Sequence, residues 1–289
     1  MAKPAQKSSS APGAYRIWFT PAPAAREAGP SDSAPSTPTA TPAAVASAVP
    51  KDVLQRFTEP RPTLARRATV PLDEVLTGPT ELKAAELWVL HLPPEVSEAE
   101  RQQAHSWLAA GGGRRPIAAR SAELGLFFCP GRAIISAAPE SLDDALAGLA
   151  EFAFYEHELQ QLEDEVAQRW TEVEADLPFV SSIDDGNKKL WPSLYGKLAH
   201  QHRLGMLASR IDHRLALLAH DRPPGLGRLL SRLGARARLR TRIEKLNNHL
   251  EVRDGVYDQI GYRLADHRGL RATLVIEVVI VALLLMEVG

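Results

Sequence analysis

Cysteine is almost absent: Cys129 is the only one in 289 residues. No intrachain disulfide can form, and no cysteine-based zinc or iron–sulfur cage can be completed within one chain. A reducing compartment is the natural home, and on its strand-like segment Cys129 reads as a small buried hydrophobe. Aromatic residues make up only 6% of the chain, and none interleaves with the arginines, which weakens stacking on single-stranded nucleic acid as a mode of action. No apolar h-region of a secretory signal is present near the start. Gly111-Gly112-Gly113 is followed by Arg114-Arg115-Pro116 rather than Gly-Lys-Ser/Thr, which excludes a Walker-type phosphate loop. No Gly-x-Ser-x-Gly elbow or Cys/His pair supports nucleophilic catalysis.

Long apolar runs are equally scarce, with one exception. Residues 270–288 are broken only by Arg271, Thr273, Glu277 and Glu287 and follow a basic shoulder of Arg263 and Arg268. At ~1.5 Å per residue this stretch is about 28 Å long, just enough for a hydrocarbon core if Glu287 sits at the far interface. Glu277 would then lie within the bilayer, where a carboxylate costs a few kcal/mol unless it is protonated or paired. The competing reading is a buried C-terminal core helix.

Residues 1–50 are dominated by alanine, proline, serine and threonine, a composition expected to remain a disordered tail. Residues 51–80 read as a linker. A small α+β region is expected over 81–140. ELWVLHL (86–92) has strand character, SEAERQQAHSWLAA that of a capped helix stopped by the glycines, and LGLFFC and RAIISAA flank Pro130-Gly131 as a hairpin. From Ser141 to Arg268 the spacings of three and four predict a helical bundle, continuous with 81–140 as one domain, with 269–289 as the anchor. Its helices carry stripes at Tyr155, Leu159, Leu162, Val166, Trp170 and Val173, at Leu190 to Leu218, and from Leu239 to Leu264. Three antiparallel helices with coiled-coil-like packing are expected, ending in the hydrophobic helix, so the fold class is α+β.

Net charge is only −1, yet the charges segregate. The stretch 151–176 is acidic, whereas 220–245 carries Arg222, Arg228, Arg232, Arg236, Arg238, Arg240, Arg242 and Lys245. As one arginine-rich helix it would neutralise phosphates of RNA or lipid headgroups. It could equally balance Glu156, Glu158, Glu163, Asp164, Glu165, Glu172 and Glu174 inside the bundle. The histidines lack ligand spacing: after His157-Glu158, Gln161 stands where a second zinc ligand is needed, and His200 and His202 diverge around a helix. No metal, cofactor, small-molecule substrate or catalytic residue is expected.

Three segments resemble the family named "required for meiotic nuclear division", best over residues 140–289. Lys197-Leu198-Ala199 followed by His202 is similar to its Lys-Leu-Ala-x-x-His helix. Arg242, Leu246 and Asn247 in RIEKLNNHL resemble its Arg-Ile-x-x-Leu-Asn block, and Glu277 and Glu287 its paired C-terminal glutamates. The resemblance implies a single-pass membrane protein with no established catalytic residues, whose mitochondrial members support translation near the inner membrane as oligomers. The expected function is a non-enzymatic membrane-anchored scaffold or assembly protein that self-associates through its helices. The alternative is an RNA- or ribosome-binding module using Arg228, Arg232, Arg236, Arg238, Arg240 and Arg242. The arginine shoulder places the main domain on the cytoplasmic side of a bacterial inner membrane, or in the matrix beside a mitochondrial one.

Overall fold

The computed structural model describes residues 12–22, 52–76, 86–111, 114–181 and 189–288. In chain order these form β1 (Gly13–Pro21), β2 (Val53–Phe57), β3 (Thr63–Thr69), α1 (Leu72–Leu76), β4 (Glu86–Leu92), α2 (Glu98–Ala109), β5 (Ile117–Arg120), β6 (Gly125–Cys129) and β7 (Arg132–Ser136). Helices follow: α3 (Leu142–Gln168), α4 (Trp170–Asp176), α5 (Pro178–Ser181), α6 (Trp191–Leu217), α7 (Pro224–Arg236) and α8 (Leu239–Val288). The class is α+β. The chain divides into two units, Met1–His157 with Arg214–Ala237, and Glu158–His213 with Arg238–Gly289. The single domain expected over 81–268 is spread over both units, each of which collects segments distant in sequence.

The first unit is built on a seven-stranded sheet in the order β2-β3-β1-β4-β7-β6-β5. Only β4 and β7 run parallel, in register from Trp88↔Arg132 to Leu92↔Ser136. Two expectations fail here. Residues 13–21, assigned to the disordered tail, form a central strand paired with β3 and β4. Residues 53–76, assigned to a linker, supply two strands and a short helix. The cause is local: Tyr15, Ile17, Trp18 and Phe19 are strand formers embedded in an alanine- and proline-rich average, and Ala14 and Ile17 are buried. The remainder of the expected tail lies outside the described residues.

Both faces of the sheet are covered, which explains why its inner strands read as unbroken apolar runs. On one side Trp88, Leu90, Phe127, Cys129 and Ile134 pack with Val75 of α1 and with Ala104, Trp107 and Leu108 of α2. On the other, Phe128 meets Phe152 edge-on at 5.1 Å, and Phe57 stacks on Phe154 at 4.3 Å, so the first half of α3 closes that face. The β6–β7 turn places Gly131 at φ 78°, a left-handed conformation that glycine adopts without strain. Helix α7 rests on β5 and β6, and its Leu226, Leu229, Leu230 and Leu233 are buried, with Leu226 and Leu230 beside Gly148 of α3.

In the second unit Val173 of α4, Trp191 and Leu194 of α6, and Tyr257, Ile260 and Leu264 of α8 form one apolar cluster. The arginine-rich segment is not one helix, contrary to expectation. Arg238 has φ 53° between α7 and α8, a left-handed break that ends one helix and starts the next. Arg228, Arg232 and Arg236 fall in the first unit, whereas Arg238, Arg240 and Arg242 fall in the second.

Candidate functional site

Helix α8 changes character along its length. Ile243, Leu246, Leu250, Tyr257, Ile260 and Leu264 are buried at spacings of three, four and seven, the signature of one packed face. Beyond Gly269 the helix is apolar on every side apart from Arg271, Thr273 and Glu277, and Leu270, Leu274, Val275, Ile276, Val278, Val279, Ile280, Val281, Leu283, Leu284, Leu285 and Met286 are all exposed. Among the described residues this is the one helix long and apolar enough to cross a membrane, and none of its most apolar window is buried. The competing expectation of a core helix is not met among the described residues. Glu277 stands exposed in the middle of this stretch. The side chain of Glu287 lies outside the described residues.

Beneath the exposed segment the helix seam holds a buried polar network. Lys197 on α6 donates to both carboxylate oxygens of Asp176, at 2.9 and 2.7 Å, and the Tyr257 hydroxyl on α8 donates to Asp176 Oδ2 at 3.0 Å. Burial, reinforced by the bond to Asp176, pushes the Tyr257 phenol well above its ordinary range. Three helix segments are therefore tied at one carboxylate. Lys197 thus serves helix packing, and Asp176 and Tyr257, which no sequence pattern singles out, are its partners.

Deeper along the seam, Gln201 is fully buried and donates from Nε2 to the Leu250 carbonyl at 3.3 Å, while its Oε1 has no donor to accept from. Arg253 is 2% exposed, reaches the Val166 carbonyl at 3.5 Å and leaves Nε unbonded. Burial, and secondarily Arg169, pulls its guanidinium below the usual range, partly offset by Tyr257. His200 Nε2 lies 3.2 Å from Glu165 Oε1 but off the line of a hydrogen bond. Burial first, then Arg169, lowers its basicity. A sequence signal for Arg253 exists: it falls at the seam spacing between Leu250 and Tyr257, where a charge breaks an apolar stripe.

The remaining motif residues are dispersed. Arg242 clamps Glu163, with Nε at 2.9 Å and Nη2 at 2.6 Å, and also holds Gln160 Oε1 at 3.0 Å. This is a bidentate guanidinium–carboxylate pair between α8 and α3. It realises for one arginine the expected balancing of the acidic helix. At ~1.5 Å per residue, about 22 Å of helix separates Arg242 from Tyr257, so Lys197 and Arg242 act in different places. Leu246 is buried between them, whereas His202 and Asn247 are exposed.

Of the basic set, Arg228, Arg232 and Arg236 are exposed and spaced four apart along α7, forming one stripe opposite its buried leucines. Arg232 also donates to the Arg120 carbonyl at 3.4 Å. Arg238 is exposed, and Arg240 pairs with Glu244 one turn on at 3.2 Å. A cavity of about 380 Å³ in the first unit is lined by Arg56, Glu151, Tyr155, Arg214, Asp221 and Arg222. Its two best-placed cations are paired, Arg214 with Glu59 at 2.9 Å and Arg222 with Glu151 at 2.6 Å. Among the described residues no three histidine, cysteine or acidic side chains converge as metal ligands. Cys129 is buried, and burial pushes its thiol upward, away from the reactive thiolate.

No protein-family model matches the sequence, and no curated protein does.

Proposed function

We propose that the chain is a non-enzymatic membrane-anchored scaffold or assembly protein that self-associates through its helices. The observation that carries this reading is the continuity of α8. The same helix that seals the second unit with Tyr257, Ile260 and Leu264 continues as an apolar rod with no cover among the described residues. Exposing so much contiguous apolar surface to water is unfavourable at about 25 cal/mol per Å², and a bilayer removes it. The basic residues Arg263, Arg268 and Arg271 flank the rod on the body side, which favours a cytoplasmic or matrix-facing body. Glu277, without a partner in the described residues, supports association of the rods, since a second copy supplies a hydrogen-bonding carboxyl at the same depth. The resemblance to the "required for meiotic nuclear division" family adds a role near membrane-bound translation. The test is alkaline carbonate extraction of membranes carrying the full chain or a chain ending at Arg268. Retention of the full chain alone is expected, and equal extraction of both sinks the reading.

A second reading, contact with RNA or a ribosome, is favoured by the exposed stripe of Arg228, Arg232 and Arg236. Replacing all three with glutamine is expected to weaken RNA binding and to flatten its salt dependence by about 0.7 to 0.9 for each phosphate no longer neutralised. Binding that is absent in the parent chain, or unchanged in the variant, removes it.

A further inference from the structure

The apolar seam of α8 ends in cations. After Leu264, the positions facing α6 are taken by His267, Arg268 and Arg271, and what they meet is aromatic. The Arg268 guanidinium lies 4.6 Å from the centre of the Tyr195 ring, and that of Arg271 lies 5.9 Å from Trp191. His267 packs edge-on against Trp191 at 5.0 Å. These contacts put the first turn of α6 level with the start of the apolar rod, which begins at Leu270. Lys189 and Leu190, which immediately precede α6, are exposed. Trp191 is 6% exposed, and its indole N–H meets no acceptor among the described residues. Arg268 is exposed and meets only the tyrosine ring among the described residues. Asp266 is the adjacent acid on α8, and at about 100° per residue it points about 200° away from Arg268.

We propose that this collar is a second membrane contact, in which Arg268, Arg271 and Lys189 hold the phosphates of anionic lipids while Leu190 and Tyr195, braced by the buried Trp191, seat the start of α6 in the headgroup layer. Tyrosine favours that layer because one end of its ring is apolar and the other polar. Each cation there contributes through the negative surface potential. The proposal rests on the membrane reading of α8 and adds that the body is held against the surface rather than hanging from a single rod.

The test uses the full chain in vesicles, labelled with a nitroxide at Leu190→Cys or, separately, at Val279→Cys; Cys129 is buried and does not compete. Depth is read by electron paramagnetic resonance in phosphatidylcholine alone and with phosphatidylglycerol added. The expected result is a label at headgroup depth for Leu190 in the anionic vesicles. The combined Arg268→Gln and Arg271→Gln change should shift the docked-to-free ratio roughly thirtyfold, about 2 kcal/mol at about 1 per surface cation. A Val279 label in hydrocarbon with a Leu190 label in water in both lipids overturns the collar and leaves the anchor. A Val279 label in water overturns both. Immobilisation of the Leu190 label by inorganic phosphate in neutral vesicles, with no effect of phosphatidylglycerol, assigns the cations to soluble phosphate and overturns the lipid contact.

Discussion

Lys197 donates to both oxygens of the buried Asp176 carboxylate, at 2.9 and 2.7 Å. Removing either partner strands the other. Lys197→Met is expected to cost about 3 kcal/mol, the lower part of the range for breaking a buried pair, because the lysine is partly exposed. Lys197→Met combined with Asp176→Leu should recover much of that loss. Denaturant midpoints of the two variants in detergent check it, and equal midpoints would mean that the pair is not coupled.

The start of α2 is set by a reciprocal cap. Ser97 Oγ accepts from the Glu100 backbone N–H, and the Glu100 carboxylate accepts from the Ser97 N–H at 3.1 Å. Ser97→Ala is expected to lower stability by about 1 kcal/mol. Thermal unfolding of the variant measures this.

Gly227 on α7 passes so close to the preceding turn that a Cβ there would sit 2.2 Å from the Ala219 carbonyl oxygen. Backbone cannot rotate aside as a side chain does. Gly227→Ala should therefore destabilise by about 2 kcal/mol, the scale of overpacking, whereas Gly225→Ala, in open space, should not. Paired denaturation curves distinguish them.

His105 lies against Phe127 at 4.6 Å, and burial, followed by the charges of Arg120 and Arg101, pulls its basicity below the ordinary value of 6.5. Folded protein thus holds this proton less tightly than unfolded protein does, so stability rises with pH through the window below about 6.5 and is full above it. His200 acts in the same direction. The combined His105→Gln and His200→Gln change should flatten the decline in melting temperature between neutral pH and mildly acid pH. An unchanged slope would place the pH response elsewhere.

Much of this architecture is legible in the chain because its periodicities are strong. ELWVLHL forms β4, the Pro130-Gly131 turn joins β6 to β7, and Leu239 to the apolar run is one helix. What escapes sequence reasoning is decided by partners far away. β1 is invisible to composition because its nine residues sit in a proline-rich average, and pairing with β3 and β4 supplies the bonds its neighbours in sequence cannot. The break at Arg238 has no proline or glycine to announce it, so the cations on either side of it read as one face. Lys197 stands out in the sequence only by resemblance to a motif. Its role follows from Asp176, an acid at the end of α4 that no motif marks, and from the Tyr257 hydroxyl, which an apolar spacing does not reveal.

The seating of α7 on β5 carries a temporal consequence. β5 is an edge strand, and its overlying helix lies about 100 residues further along, so at ~5–20 residues per second a ribosome exposes that edge for roughly 5–20 s before its cover exists. Unpaired strand edges recruit other chains. The nascent protein therefore passes through a vulnerable interval that chaperone occupancy would shorten, and slow translation between Arg120 and Pro224 would lengthen it.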